Sequence, residues 1–396
     1  MQTGPPPPLS PEPLSLPEPP PPAREHSARV VDAIRAEIGR GGGWIPFARY
    51  MQIALYAPGL GYYVAGSRKF GAEGDFVTAP ELTALFGATL AAQVAEILAV
   101  TERREIVELG AGTGKLARDL MRVLHARGAA PSRYAIVEPS AELRERQRET
   151  LAGVAGELKV PIEWSMDLPS RIEGAVVLNE VLDAIPAHII VRHGGRYFER
   201  GVIWRDRLEF EERRIEDEAM HERVAGRFPP DIDYMSEINP AAEGLVETLT
   251  RRLVKGAALI VDYGFPRAEL YHPQRREGTL MGHYRHRAHS DPFLWPGLTD
   301  LTTHVDFTAM AEAGERSGLE VAGFAPQAGF LLGCGLLDRL VAVGPSESAA
   351  YLREASAVQK LTSPSEMGEL FKVLALARSD RIAWPGFALV NAAHRL

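Results

Sequence analysis

The sequence predicts an α/β fold, a doubly wound parallel sheet with helices on both faces, preceded by a helical N-terminal lobe and broken by large insertions. Three observations predict it. Short apolar runs alternate with segments of helical period between residues 105 and 262. The first of these runs passes straight into a glycine-rich turn and then a helix. A length of 396 residues at 45% hydrophobic content supplies a substantial core with chain left over for a second lobe.

The elements follow in order. Residues 1–26 open with MQTGPPPPLSPEPLSLPEPPPPAR, about half proline, and read as a disordered or polyproline tail. Order is expected from about Ser27, where 28–38 (ARVVDAIRAEI) carries apolar residues at helical spacing until GRGGG at 39–43 stops it. The aromatic segment 45–64 (IPFARYMQIALYAPGLGYYV) completes a lobe spanning 27–100, which closes with the loop FGAEGDFVTAP and a helix over 81–100. Strands are expected at 105–109, 134–138, 160–164, 174–178 and 257–262, with helices at 115–126, 140–151 and 245–253 between them. Two insertions interrupt the pattern. The first, about 187–240, contains a β-hairpin over 189–210 turning at Gly194-Gly195. The second, 267–304, is too long for an ordinary connection and reads as functional. A helix over 307–317, strands near Val321 and Phe330, and a last helix over 366–377 finish the chain.

Composition excludes several function classes. A formal charge of -8, with only mixed-sign runs such as EERRIEDE, argues against a nucleic-acid partner. No apolar stretch is long enough for membrane insertion. The single cysteine, Cys334, rules out an intramolecular disulfide, and its apolar setting reads as a buried inert thiol. No secretory or transit segment is recognisable, so a cytoplasmic location is expected.

The densest chemical signal is IVELGAGTGKLARDL at 106–120. A P-loop fails here because Leu109 stands at its first glycine and Leu116 at its hydroxyl position. A dinucleotide fingerprint fits poorly because Lys115 takes the last glycine position. What remains is an acid ahead of three spaced glycines, Glu108 with Gly110, Gly112 and Gly114, which looks like the first motif of S-adenosylmethionine-dependent methyltransferases. A ligand with a sulfonium and an α-ammonium, and no pyrophosphate, suits an acid beside the turn. Glu138, at the tip of the second strand, can accept both ribose hydroxyls of either a nicotinamide or an adenosylmethionine ligand. Asp167 lies where an adenine amino group would reach, or is a turn residue. Thr78 reads equally as a capping hydroxyl or a cofactor contact. After the fourth strand, NEVLDAIP sets Asn179 and Glu180 at the ligand edge, with Asp183 one turn on as a further acid or a cap.

At these residues the chain resembles the MidA-like methyltransferases, whose mitochondrial members assist assembly of respiratory complex I. The resemblance runs from about Ile45 to Ala377 through IPFARYMQIALYAPGLGYY, GDFVTAPELTALFG, VELGAGTGKLARDL, LNEVLDAIP and DYGFP. It continues in HPQRREGTLMGHYRHRAHSDP, GLTDLTTHVDF and MGELFKVLAL. It implies a class I, Rossmann-like methyltransferase domain over 101–396 and methyl transfer from S-adenosyl-L-methionine to an arginine of a protein such as a complex I subunit. Carried onto this chain, Gly110, Gly112 and Gly114 bind cofactor, Glu138 takes the ribose, and Asn179, Glu180 and Asp183 border the acceptor.

The chemistry of those residue types agrees. A guanidinium, with a pKa above about 12, attacks without prior deprotonation, so a carboxylate forked onto its N–H groups would orient it. Glu180 is the first candidate and Asp183 the second. The stretch GHYRHRAHSD holds His283, His286 and His289, but Arg285 and Arg287 interleave them and no metal is expected there. These histidines are expected to shape the entrance for a substrate chain. A second reading makes the protein an assembly factor that binds adenosylmethionine and acts through its partner surface. A nicotinamide dehydrogenase is disfavoured by the glycine spacing.

Overall fold

The computed structural model describes residues 16–65, 78–379 and 381–396. Its central sheet has seven principal strands: β1 (Glu105–Leu109), β2 (Arg133–Val137), β3 (Ile162–Ser165), β4 (Ile172–Asn179), β5 (Leu253–Phe265), β6 (Glu320–Pro326) and β7 (Phe371–Arg378). They stand in the order β6-β7-β5-β4-β1-β2-β3. The first five are mutually parallel, and β7 runs antiparallel to both β5 and β6.

Successive residues of a strand point to opposite faces, and the core divides accordingly. Ile106, Val177 and Leu259 pack on one face with the helices Ala84–Ala99 and Lys115–Ala126. Val107, Val176 and Ile260 pack on the other with Pro240–Arg252 and Phe307–Arg316. Both faces are thus buried by helices, the arrangement expected of a doubly wound sheet.

Several elements differ from the sequence expectation. FKVLALAR, expected within the last helix, is β7, and only Met367–Leu370 is helical. Seven of its eight residues are buried, so the run carries no period that separates a core strand from a core helix. Phe330 lies in the helix Gln327–Gly333 rather than a strand, and two further helices, Leu336–Val341 and Ala349–Thr362, fill the connection to β7. The first helix is Pro21–Arg40, starting well before Ser27. Prolines are tolerated in its first turn because the N–H they lack has no acceptor there. The tail residues 1–15 lie outside the described residues, as do 66–77 of the glycine-rich loop. The helix expected over 81–100 is two, Ala79–Leu82 and Ala84–Ala99, broken at Thr83, whose hydroxyl accepts from the Leu85 N–H at 2.9 Å.

The hairpin at Gly194-Gly195 forms with both glycines left-handed (φ 54° and 79°), the pairing that matches strand twist. Its strands, His188–His193 and Arg196–Arg205, are joined by Arg207–Arg214, Tyr234–Ile238 and the short Ile45–Pro46 in a second sheet. Val30, Ile34, Phe47 and Met51 of the N-terminal helices share one core with Ile189, Val202 and Leu301. The N-terminal helices and both insertions therefore fold against each other. Among the described residues no helix is long and apolar enough to cross a membrane.

The close pairing of β1 and β4 depends on Gly174. A Cβ there would stand 1.8 Å from the Glu105 carbonyl oxygen, which is fixed backbone. Gly174→Ala is expected to destabilise the fold by about 3 kcal/mol or more. Urea unfolding would show this as a lowered midpoint, and an unchanged midpoint would mean that the strands can part there.

Candidate active site

The parallel strands β1, β2, β4 and β5 all deliver residues from their carboxyl ends to one cavity of about 360 Å³. Thr78, Pro80 and Glu81 add to its wall ahead of the sheet, Tyr56 and Tyr63 come from the N-terminal lobe, and Asp300 and Thr302 come from the second insertion.

At the end of β1 the chain reverses through three left-handed glycines, Gly110, Gly112 and Gly114, with φ of 62°, 53° and 84°. The Gly110 N–H donates to the Val137 carbonyl and the Gly114 N–H to the Ala111 carbonyl, which fixes the turn. Gly110 and Gly112 line the cavity. Gly112 has open space where a side chain would be, so a ligand can approach bare backbone. Gly114 does not line the cavity; it starts the helix Lys115–Ala126 and faces Gln147. Glu108 is buried, accepts the Tyr134 hydroxyl at 2.6 Å, and is pushed by burial up to about 7. Glu138 accepts the Ser140 N–H at 2.9 Å and the Gln147 amide at 3.2 Å. Gln147 also donates to the Gly112 carbonyl at 3.0 Å and accepts from the Trp164 indole, so one buried amide ties the glycine turn to the acid of the second strand.

At the end of β4, Glu180 is left-handed (φ 54°), a conformation that costs a non-glycine residue roughly 1–3 kcal/mol. Asp262 on β5 accounts for it. Its Oδ2 accepts the N–H groups of Val181 (3.1 Å), Leu182 (2.9 Å) and Asp183 (3.4 Å), and its Oδ1 accepts from Tyr263. The chain after β4 is pulled into a tight turn that presents Glu180 and Asp183 to the cavity. Glu180 Oε1 accepts from the Asn179 amide (3.0 Å) and the Ala79 N–H (3.3 Å), and the Tyr263 hydroxyl lies where it favours the ionised form of Asp183. Asn179 Oδ1, Glu180 Oε2 and Asp183 Oδ1 are buried oxygens with no donor among the described residues.

Charge is lopsided. Six acids line the cavity against a single lysine among the described residues, Lys115, and its ammonium is held by Glu81 at 2.5 Å. Burial, reinforced by Asp183, pushes Glu180 up to about 8. Burial raises Asp183 as well, against the opposing effect of the Tyr263 hydroxyl. Such a cavity suits a cationic ligand, and adenosylmethionine, with its sulfonium and ammonium, fits it.

Thr78 lines the cavity but makes no side-chain cap to its helix. Asp167 does not line it; it sits exposed in a turn, its N–H bonded to the Ser165 hydroxyl. GHYRHRAHSD forms a hairpin, Met281–Tyr284 with Arg287–His289, turning on left-handed Arg285 and His286. None of its three histidines lines the cavity; the insertion reaches it through the adjoining strand Asp300–Thr302. Sequence reasoning assigned no role to Glu81, Gln147, Asp262 or Tyr263. For Asp262 a signal existed in DYGFP, an acid inside an otherwise apolar core strand.

A sheet with its seventh strand reversed, a glycine turn after β1 and an acid ending β2 define the class I methyltransferase architecture. Residues 89–325 match the family described as "Putative S-adenosyl-L-methionine-dependent methyltransferase", and the chain belongs to that family. It is 30% identical to the mitochondrial protein arginine methyltransferase NDUFAF7 of Mus musculus, over 86% of this chain and 82% of that one. The Homo sapiens counterpart is 28% identical over 86% and 81%. A crystal structure from Burkholderia thailandensis with S-adenosyl-homocysteine bound superposes with a TM-score of 0.91 at 47% identity, covering 96% of this chain and all of that one.

Because burial raises Glu180 in the folded state, the neutral form is favoured there, and the native state loses stability as pH rises from the unfolded carboxyl value towards about 8. Glu180→Gln is expected to be more stable than the parent at pH 8 by about 1–3 kcal/mol and nearly equal at pH 4. Thermal melts across that range that run parallel for the two proteins would refute the buried-acid account.

Proposed function

We propose that the protein transfers the methyl group of S-adenosyl-L-methionine to a guanidinium nitrogen of an arginine in a protein substrate. The observation that carries this is that three residues lining the cavity just after β4, Asn179, Glu180 and Asp183, each have a buried oxygen (Oδ1, Oε2 and Oδ1) with no donor among the described residues. A guanidinium has donors and no acceptors, and its planar fork matches such a set. The relatives named as protein arginine methyltransferases support the same reading.

In this reading Gly110 and Gly112 offer backbone to the cofactor, Gly114 lets the turn enter its helix, Glu138 accepts the ribose hydroxyls and Glu108 faces the ammonium. Thr78 borders the same space, and Asp167, exposed outside the cavity, has no part in it. The bound cofactor supplies an electrophilic methyl on a sulfonium. Glu180 accepts an N–H of the guanidinium and aligns the attacking nitrogen, with Asp183 and Asn179 holding its other edge. As the C–N bond forms and the C–S bond breaks, the nitrogen sheds a proton, and Glu180, raised by its burial, is placed to take it.

Glu180→Gln is expected to lower kcat by about 10²–10⁴-fold while S-adenosyl-homocysteine affinity stays within about twofold. In the parent protein kcat/KM is expected to rise with pH through about 8, as the carboxyl ionises, and to be flat there in the variant. Unchanged turnover would remove Glu180 from the mechanism. Labelled cofactor with a respiratory complex I preparation, followed by mass spectrometry, would name the substrate and residue. Partner binding without transfer would favour the assembly-factor reading instead.

A further inference from the structure

We infer that the stacked rings of Tyr56 and Tyr63, with the carboxylate of Asp300, form the specificity wall of the acceptor pocket and select a planar guanidinium over a tetrahedral ammonium. The inference rests on the arginine reading above and concerns residues that take no part in the transfer itself.

Asp300 is far from the two tyrosines in sequence, yet all three line the cavity that Glu180 and Asp183 line. The Tyr63 hydroxyl lies 2.9 and 3.0 Å from the two Asp300 oxygens and donates to that carboxylate. The Tyr56 hydroxyl donates at 3.0 Å to the carbonyl of Ala184, the residue after Asp183. The two rings stack at 5.4 Å and 21°, and Tyr62 braces Tyr63 edge-on at 5.0 Å. With both hydroxyls engaged the rings cannot swing, so this wall is a fixed aromatic surface. Burial holds both phenols well above their usual range, so they stay neutral.

The Asp300 carboxylate is near enough for its charge to act on Glu180 and on both phenols. The acceptor region thus joins an aromatic surface to several carboxylates. A guanidinium can lay its weakly hydrated face on a ring while its edge meets carboxylates, whereas an ammonium has no face to stack and holds its water more strongly. The wall comes from the N-terminal lobe and the second insertion, the parts of the chain outside the central sheet. Selection of the acceptor is thereby separated from the glycine turn that serves the cofactor.

The test uses the full chain with S-adenosyl-L-methionine and two peptide pools, random except for a single central arginine or a single central lysine. The parent protein is expected to prefer arginine by about 100-fold. Asp300→Asn is expected to raise KM for the arginine pool by about tenfold, with S-adenosyl-homocysteine affinity by calorimetry within about twofold. Tyr63→Leu should cut the arginine-to-lysine ratio by about tenfold, and Tyr63→Phe, which keeps the ring, by much less. If Tyr63→Leu fails to fold, Asp300→Asn still decides the matter through KM for the arginine pool. Parallel loss of S-adenosyl-homocysteine affinity would assign the wall to the cofactor and overturn the inference. Unchanged KM and ratio in folded variants, beside a parent that methylates arginine, would overturn the wall alone. A parent that methylates neither pool, or lysine only, would overturn the arginine reading and the wall with it.

Discussion

The candidate catalytic end of this molecule depends on the Asp262 carboxylate and the backbone N–H groups that it gathers. β4 ends at Asn179, and without a captor the next residues would continue extended, away from the cavity. Asp262 reaches across from the neighbouring β5 and holds Val181, Leu182 and Asp183 by their N–H groups. The chain must then turn at Glu180, which becomes left-handed. Its strain is compensated by three backbone bonds to a buried acceptor and by the Glu180 N–H donating to the Val261 carbonyl at 2.9 Å. Asp262 is a positioning residue: it does not line the cavity, yet it decides where both acids of the turn point.

Gathering acids in this way has an electrostatic consequence. Like charges in a buried space oppose one another's ionisation, and burial opposes all of them. Glu108, Glu180, Asp183 and Asp262 are all raised, with burial as the largest cause in each. Among the described lining residues only Lys115 is basic, and Glu81 engages it. The missing positive charge is what the ligands bring. The sulfonium and α-ammonium of the cofactor supply what the fold withholds, and methyl transfer then removes the sulfonium charge. The site is therefore matched to the charged reactants more than to the neutral thioether left behind, which is the direction that favours turnover.

Much of this was legible in the sequence, for reasons that can be located. Strands β1, β2 and β4 announced themselves because each carries a short apolar run bounded by turn residues, and the glycine turn because its spacing is incompatible with phosphate-binding loops. Glu108, Glu138, Asn179, Glu180 and Asp183 all line the cavity, since polar residues at or just past the carboxyl ends of the strands face the ligand edge. β7 was illegible because FKVLALAR is apolar on both faces, and burial on both sides erases the period-two signal. Asp167 failed to join the cavity because a turn after an edge strand can carry its side chain outward to solvent. Tyr56, Tyr63, Asp300 and Tyr263 lay in quoted motifs, but their meeting depends on how an N-terminal helix docks on a late insertion. No spacing in the chain encodes that docking.

The docking itself shows why the two insertions and the N-terminal lobe belong to one working unit. Tyr56 at the end of the helix Phe47–Tyr56 bonds the Ala184 carbonyl, while the Thr303 N–H bonds the Asp183 carbonyl at 3.0 Å. The loop carrying the candidate catalytic acids is thus held from the N-terminal lobe and the second insertion, while Asp262 holds it from within the sheet. Glu237, buried on the second sheet, accepts the N–H groups of Thr279 (2.9 Å) and Leu280 (3.1 Å) and so anchors the insertion just ahead of its hairpin. Loss of any one of these ties would leave the others straining against a turn that already stores an unfavourable backbone conformation. Such a turn persists only where its surroundings over-determine it. The large additions to the central sheet are, on this argument, part of what keeps Glu180 aimed, and the methyl-transfer site cannot be separated from them.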